Sequence, residues 1–271
     1  MTVQGIGLVV SERCFSLIGC IALKALSGIP SALRERLVFG GYRRQLVLQR
    51  LLGGPRSLSV RYTRGPLLGL RFTCESTEKY FIVGADLEHE LIPVLRNVLK
   101  PTDVVYDIGA NAGYWSLAFS RFCPSGAVYA FEPSPTNYAR LEINTAETPN
   151  IMLICGAVSD STGTARFSER GSVSSIRLDG ELEVKRLRLD DSNLPLPNFV
   201  KVDIEGHAGS AFCGAIDLLR RSKPIIICEI HNRLEEAAVS STLGALGYRI
   251  ENIERERSFP FSCALATMRT G

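Results

Sequence analysis

The chain has 271 residues, 45% of them apolar and 22% charged, with 24 Gly and 13 Pro. That composition is globular and excludes collagen-like, low-complexity and wholly disordered readings. The net charge of +3 is unevenly spread: residues 1–71 hold eleven Lys and Arg against Glu12 and Glu35, a balance of +9, which leaves −6 for the remainder.

The amino-terminal stretch CFSLIGCIALKALSGIP, residues 14–30, is apolar but interrupted by Lys24, and no small-residue cleavage site follows it. It therefore fits a secretory leader poorly, and no apolar run approaches the roughly 20 residues of a spanning helix. Arg34, Arg36, Arg43, Arg44 and Arg50 then recur among leucines and valines, the mixture expected of basic amphipathic helices. Two readings stay open for this arm, residues 1–52. Its apolar faces pack on the main domain, or its basic face rests peripherally on anionic lipid. The eight cysteines form no C-x-x-C pair, and several sit in apolar runs, so they read as small buried hydrophobes in a reducing, cytoplasmic compartment.

Gly53-Gly54-Pro55 punctuates the chain, and SLSVRYTRG and LGLRFTC then alternate like two strands around Gly65-Pro66, a small β element over residues 53–84. From residue 103 short apolar runs alternate with helical stretches: VVYDIG, WSLAFSRF, AVYAFE, NYARLEINTA and IMLICGAV. After an insertion near residues 161–192 containing RLRLDD come FVKVDIEG, SAFCGAIDLLRR, PIIICEIH, a helix over about 232–246, YRIENIE and CALATMR. The alternation predicts an α/β domain over residues 85–271, a seven-stranded, mostly parallel sheet with helices on both faces.

Asp107-Ile108-Gly109-Ala110-Asn111-Ala112-Gly113 follows a strand-like run and opens a helix at about Tyr114. The two glycines allow backbone angles and a close ligand approach at the carboxyl edge of the sheet. Asn111 stands where a dinucleotide fingerprint has its middle glycine, and Asp107 would repel a pyrophosphate. Glu132 ends the next strand, where a carboxylate can accept both hydroxyls of a ribose, and Pro133 stops that strand. A nucleoside whose far end is cationic fits both features, and S-adenosylmethionine is the common one.

VVYDIGANAGYWS, VYAFEPSPTNYARLEIN, GAVSD, LRLDD, and FVKVDIEG with PIIICEIHN together resemble the FkbM-type family of S-adenosylmethionine-dependent methyltransferases over roughly residues 82–232. The resemblance implies the class I methyltransferase (Rossmann-like) fold with an antiparallel last strand, and O-methyl transfer to a hydroxyl of a sugar, glycolipid or natural product. It implies that Asp107, Gly109, Ala110, Asn111 and Gly113 line the methionine end of the cofactor, that Glu132 and Pro133 lie at the ribose, and that Gly156, Ala157, Ser159 and Asp160 form the adenine side. Glu88 resembles a family glutamate before the first core strand, with a capping or surface role as the alternative. His207 and Ala208 stand where the family more often has Ala and an acid.

Lys201, Asp203 and Glu205 lie at i, i+2 and i+4 of an apolar strand, so they are expected on one face. Charges on a central strand are either an internal salt-bridge network or a site. Asp203 is the expected general base for an acceptor hydroxyl, Lys201 or a His its orienting partner, and His231 the other base candidate. No metal is expected, although Asp203, Glu205 and Glu229, with Asp190 and Asp191 added, offer oxygen ligands. The competing functions are an NAD-dependent oxidoreductase and a non-catalytic membrane-surface binding protein. No nucleic-acid partner is expected, because aromatic and basic residues do not interleave.

Overall fold

The structure, a computed structural model, describes residues 2–4, 8–11, 29, 57–75, 84–169, 175–176, 179–253 and 262–268. The chain divides into two compact units, one taking the described residues up to Asn97 and the other those from Val98 onward.

The first unit holds a four-stranded sheet of β1 (Thr2–Gln4), β2 (Leu8–Ser11), β3 (Ser57–Tyr62) and β4 (Arg71–Glu75), followed by helix α1 (Leu91–Val98). β3 alternates exposed and buried residues strictly, so Leu58, Val60 and Tyr62 enter a core while Ser57, Ser59 and Arg61 stay wet. The two strands expected around Gly65-Pro66 are β3 and β4, paired antiparallel, with Gly65 in the left-handed conformation the turn requires. The expected helical arm differs at its start. Residues 2–4 and 8–11 are strands, β2 pairing with β3 through Leu8 and Tyr62. The apolar stretch over 14–30 and the arginine series, Ile29 apart, lie outside the described residues.

The second unit is built on β5 (Val104–Ile108), α2 (Tyr114–Phe122), β6 (Ala127–Glu132), α3 (Pro135–Thr145), β7 (Ile151–Cys155), β12 (Phe199–Val202), α4 (Ala208–Cys213), α5 (Ile216–Ser222), β13 (Ile225–Ile230), α6 (Arg233–Ala245), β14 (Tyr248–Ile253) and β15 (Ser262–Met268). Its seven strands run in the order β14-β15-β13-β12-β5-β6-β7, all neighbours parallel except those of β15. β12 and β13 are buried almost throughout, as strands covered on both faces must be, and the apolar runs FVKV and IIICEI follow from that.

The expected insertion is a second sheet of β8 (Ala157–Ser159), β9 (Gly163–Ser168), β10 (Ser175–Ile176) and β11 (Leu182–Arg188) in the order β10-β9-β11-β8. β8 leaves the central sheet immediately after β7 and pairs in parallel with β11. The single helix expected over SAFCGAIDLLRR is two, α4 and α5, broken at Gly214. A Cβ at Gly214 would stand 1.9 Å from the Ser159 carbonyl oxygen, so the close passage of β8 dictates both the glycine and the break. Among the described cysteines, Cys74, Cys123, Cys228 and Cys263 are buried, whereas Cys155 and Cys213 are exposed, against the expectation that Cys155 is a core residue. No helix among the described residues is long and apolar enough to cross a membrane.

Candidate active site

The loop between β5 and α2 has three residues in the left-handed conformation: Gly109 (φ 86°), Asn111 (φ 51°) and Gly113 (φ 93°). Asn is the non-glycine residue that tolerates this region best, which accounts for Asn111 where a dinucleotide loop has glycine. The glycines make room for protein atoms. A Cβ at Gly109 would lie 2.0 Å from the Asp203 carbonyl oxygen, and one at Gly113 would lie 2.7 Å from the Leu141 side chain. The Gly109 and Ala110 N–H groups donate to the Phe131 carbonyl, and the Asp203 N–H donates to that of Ile108, so β6 and the segment after β12 grip the loop from both sides.

Asp107 is fully buried and accepts a 2.6 Å hydrogen bond from the Ser116 hydroxyl of α2. It sits beneath the loop and secures the helix that follows. Glu132, at the end of β6, is 4% exposed and accepts from the Asn111 N–H (2.8 Å) through one oxygen and from the Ser134 N–H (2.9 Å) through the other. Burial raises its carboxyl to about 7, against the pull of those two backbone donors. Pro133 bridges Glu132 to Ser134, whose hydroxyl caps α3 by accepting from the Asn137 N–H. Glu169, which no local pattern marked, receives the Ser134 hydroxyl and the Thr136 N–H and hydroxyl at that helix start.

The residues expected on the adenine side separate. Gly156 remains beside Glu132 and donates its N–H to the Glu132 carbonyl at 3.2 Å. Ala157 and Ser159 leave with β8, and the Ser159 hydroxyl lies 3.0 Å from His207 Nε2, while Asp160 lines a groove of about 500 Å³ with Gly206, Ser210, Asn232 and Thr242. Ser159 pairs with Arg188 of β11, and Ser159 and Asp160 lie near the start of α4. Glu88 lies in the first unit and is buried with φ 46°, which rules out the surface role weighed for it.

On the acceptor side the four expected residues converge, though not by strand alternation. β12 ends at Val202, and Asp203 and Glu205 stand in the turn beyond it, with Glu205 (φ 44°) and Gly206 (φ 86°) both left-handed. Lys201 is 4% exposed and is the register partner of Asp107, which places an ammonium beside a carboxylate on one face of the sheet. Its Nζ is 3.3 Å from Asp203 Oδ2. His231, just past β13, points Nε2 at Asp203 Oδ1 (3.4 Å) and Glu205 Oε2 (3.6 Å), and Nδ1 at Glu235 Oε2 (3.4 Å).

Burial alone would lower the His231 pKa, but Asp203, Glu235 and Glu205 outweigh it and carry the imidazole up to about 10. Glu235, absent from the sequence expectations, also accepts from the N–H groups of His231 (2.7 Å) and Ala208 (3.0 Å). Its signal was legible as Asn232-x-x-Glu235, the spacing of a capping box, and the Asn232 side chain does accept from the Glu235 N–H. Asp190 and Asp191 are structural: both bind Arg188, and Asp190 also accepts from the Leu218 N–H at the start of α5.

A family model described as the methyltransferase FkbM domain matches residues 107–254, more than half of the chain and nearly the whole site. The chain belongs to that family. As an FkbM-type methyltransferase it uses S-adenosylmethionine as methyl donor, in agreement with the resemblance read from its motifs. It is 29% identical to the hexuronic acid methyltransferase AglP of Haloferax volcanii over 70% of this chain and 82% of that protein. It is 24% identical to the 2-O-methyltransferase NoeI of Sinorhizobium fredii over 57% of this chain and 76% of that protein. A crystal structure of methyltransferase FkbM from Methylobacillus flagellatus shares the fold, with a TM-score of 0.51 and 17% identity over 70% of this chain, which covers about half (52%) of that longer one.

Proposed function

We propose that this FkbM-type methyltransferase transfers the methyl group of S-adenosylmethionine to a hydroxyl of a sugar or sugar-containing acceptor. The observation that carries the reading is the locking of Asp203 to the cofactor loop, its carbonyl occupying the space a side chain at Gly109 would need. A candidate base is thereby held beside the loop through its backbone, leaving its side chain to Lys201 and His231. The names of two relatives, a hexuronic acid methyltransferase and a 2-O-methyltransferase, point to a sugar hydroxyl as the acceptor.

The residues present fit the cofactor. Each Glu132 oxygen accepts one backbone N–H and the Asn137 side chain adds a further donor, so the carboxylate is fixed to the loop with acceptor capacity left for a ribose hydroxyl. Asp107 beneath the loop favours a positively charged ligand end over a pyrophosphate. When bound, S-adenosylmethionine supplies a methyl group on a cationic sulfur, and transfer breaks the S–C bond as the acceptor oxygen forms the new C–O bond.

The chain's own residues position the acceptor and remove its proton. Asp203 accepts the hydroxyl proton as the C–O bond forms. Lys201 at Oδ2 fixes the carboxylate's orientation, and His231 and Glu205 close the side facing Oδ1.

The test is calorimetric titration with S-adenosylmethionine and with NAD, followed by incubation with methyl-labelled cofactor and a panel of uronic acid glycosides, neutral hexosides and amines. Binding of S-adenosylmethionine without NAD binding, and a labelled methyl ether on a sugar, are expected. Label on amines alone, or NAD as the preferred ligand, would refute the reading.

A further inference from the structure

Three metal-ligating atoms converge where β12 and β13 end. One atom each from Asp203, Glu205 and His231 lies within 4.8 Å of the other two, and all three residues are partly buried. His231 Nε2 is 3.4 Å from Asp203 Oδ1 and 3.6 Å from Glu205 Oε2. Those separations exceed the 2.7–3.2 Å of a well-formed N–H···O hydrogen bond. They are close to the spacing of neighbouring ligands around a cation bound at about 2.0–2.2 Å, where ligand-to-ligand edges run roughly 3.0–3.5 Å.

A second, separate observation concerns the far side of the ring. Nδ1 faces Glu235 Oε2 at 3.4 Å, and the Glu235 side chain is wholly enclosed and pinned by the N–H groups of His231 and Ala208. A fixed carboxylate on the nitrogen away from the ligating one is the outer partner that metal-bound histidines carry. Charge points the same way. Asp203, Glu205 and Glu235 set three carboxylates around one imidazole ring, and Lys201 contacts Asp203 on the oxygen turned away from it. Glu229, the third oxygen ligand that the sequence offered, is not in the set.

We propose that Asp203, Glu205 and His231 form a divalent-cation site, with Glu235 as the positioning residue that orients His231. Two carboxylate oxygens and one imidazole nitrogen suit Mn²⁺ or Zn²⁺ better than Mg²⁺ or Ca²⁺. Three protein ligands leave positions for the acceptor hydroxyl, so the cation extends the methyl-transfer reading and rests on it for its purpose. A cation held there would supply a Lewis acid beside that hydroxyl, and Asp203 Oδ2, the oxygen turned from the cation, would remain to take the proton.

Cation binding is measurable without turnover. Full-length protein dialysed against a chelator is titrated with Mn²⁺, free ion being counted by electron paramagnetic resonance, and then with Zn²⁺ in competition with a chromogenic chelator. One site per chain is expected. It should be abolished in Asp203→Asn and in His231→Gln, and weakened about 10- to 100-fold in Glu235→Gln. Circular dichroism and S-adenosylmethionine titration establish that each variant is folded.

Failure to bind either ion, or binding unchanged in the Asp203 and His231 variants, overturns the site and leaves an imidazolium held among carboxylates. Methyl transfer that proceeds without any bound cation refutes the cation and spares the methyltransferase reading. Bound Mn²⁺ with no transfer to any hydroxyl does the reverse.

Discussion

Glu132 is a carboxylate that the fold keeps dry at a cost. Its folded pKa of about 7 lies above the ordinary 4.5, so the folded chain holds a proton that the unfolded chain releases. Stability contributed by this group is therefore present below the ordinary value and is lost as pH rises toward and through 7. Once the group is ionised, the loss amounts to up to about 3 kcal/mol. In urea titrations of the cofactor-free protein, Glu132→Gln should match the wild type at pH 5 and exceed it at pH 8. Cofactor affinity should run the opposite way, because ribose hydroxyls donate best to the ionised form. Wild-type affinity should fall on acidification from pH 8 to 6, and Glu132→Gln should be weak and flat across that range. A flat wild-type profile would remove Glu132 from the ribose.

Asp203 carries a different expectation. Asp203→Asn keeps the backbone that abuts Gly109, so S-adenosylmethionine affinity should stay within a few-fold, while turnover falls by roughly the 10²- to 10⁴-fold of a lost general base. Wild-type turnover in this variant would move the base elsewhere. Both residues were legible in the sequence, since a carboxylate ending an apolar strand has few structural reasons to be there. Glu205 was legible as a charge but not as a left-handed turn residue. Glu235 passed as one more acid in a polar helix start, because its role depends on His231 and Ala208, which lie on other elements.

At the scale of elements, the sequence pattern identified all seven central strands and the loop after β5, for their apolar runs are local and strongly periodic. It missed the departure of β8, because the strand that captures it, β11, lies nearly thirty residues further on and no local pattern records that pairing. With that departure the Ser159 hydroxyl stands beside His207, and Asp160 lines the groove with Gly206 and Ser210. The same passage constrains Gly214. A methyl group there meets the Ser159 carbonyl at 1.9 Å, while the backbone angle itself (φ −81°) suits any residue. Gly214→Ala should therefore cost about 1–3 kcal/mol in urea unfolding, purely from overpacking. A neutral substitution would show that β8 yields easily.

At the scale of the whole molecule, the charge asymmetry between residues 1–71 and the rest allows a test of the lipid reading against simple packing. The pairing of β2 with β3 changes how that is tested, because deleting residues 1–56 would strip β3 of a neighbour as well as removing charge. Replacing Arg34, Arg36, Arg43, Arg44 and Arg50 together with Gln is the cleaner comparison. The wild type should sediment with anionic vesicles at low salt and release at high salt, and the substituted chain should remain in solution. Equal sedimentation of the two would show that the arm's basic residues serve no membrane.

The parallel pairing of β5 with β12 joins residues 94 positions apart, as between Val105 and Phe199, whereas β5, β6 and β7 are near neighbours in the chain. Closing the longer loop costs more chain entropy and comes later. As the chain leaves the ribosome, the glycine loop and Glu132 can assemble on three strands while Asp203 is still unmade. Pulse-labelled amides of β5 and β6 should thus gain protection before those of β12, and simultaneous protection would contradict that order. On the proposed function, the half of the site that holds the methyl donor is then built before the half that holds the acceptor, and the carbonyl of Asp203 seating against Gly109 is the step that joins them.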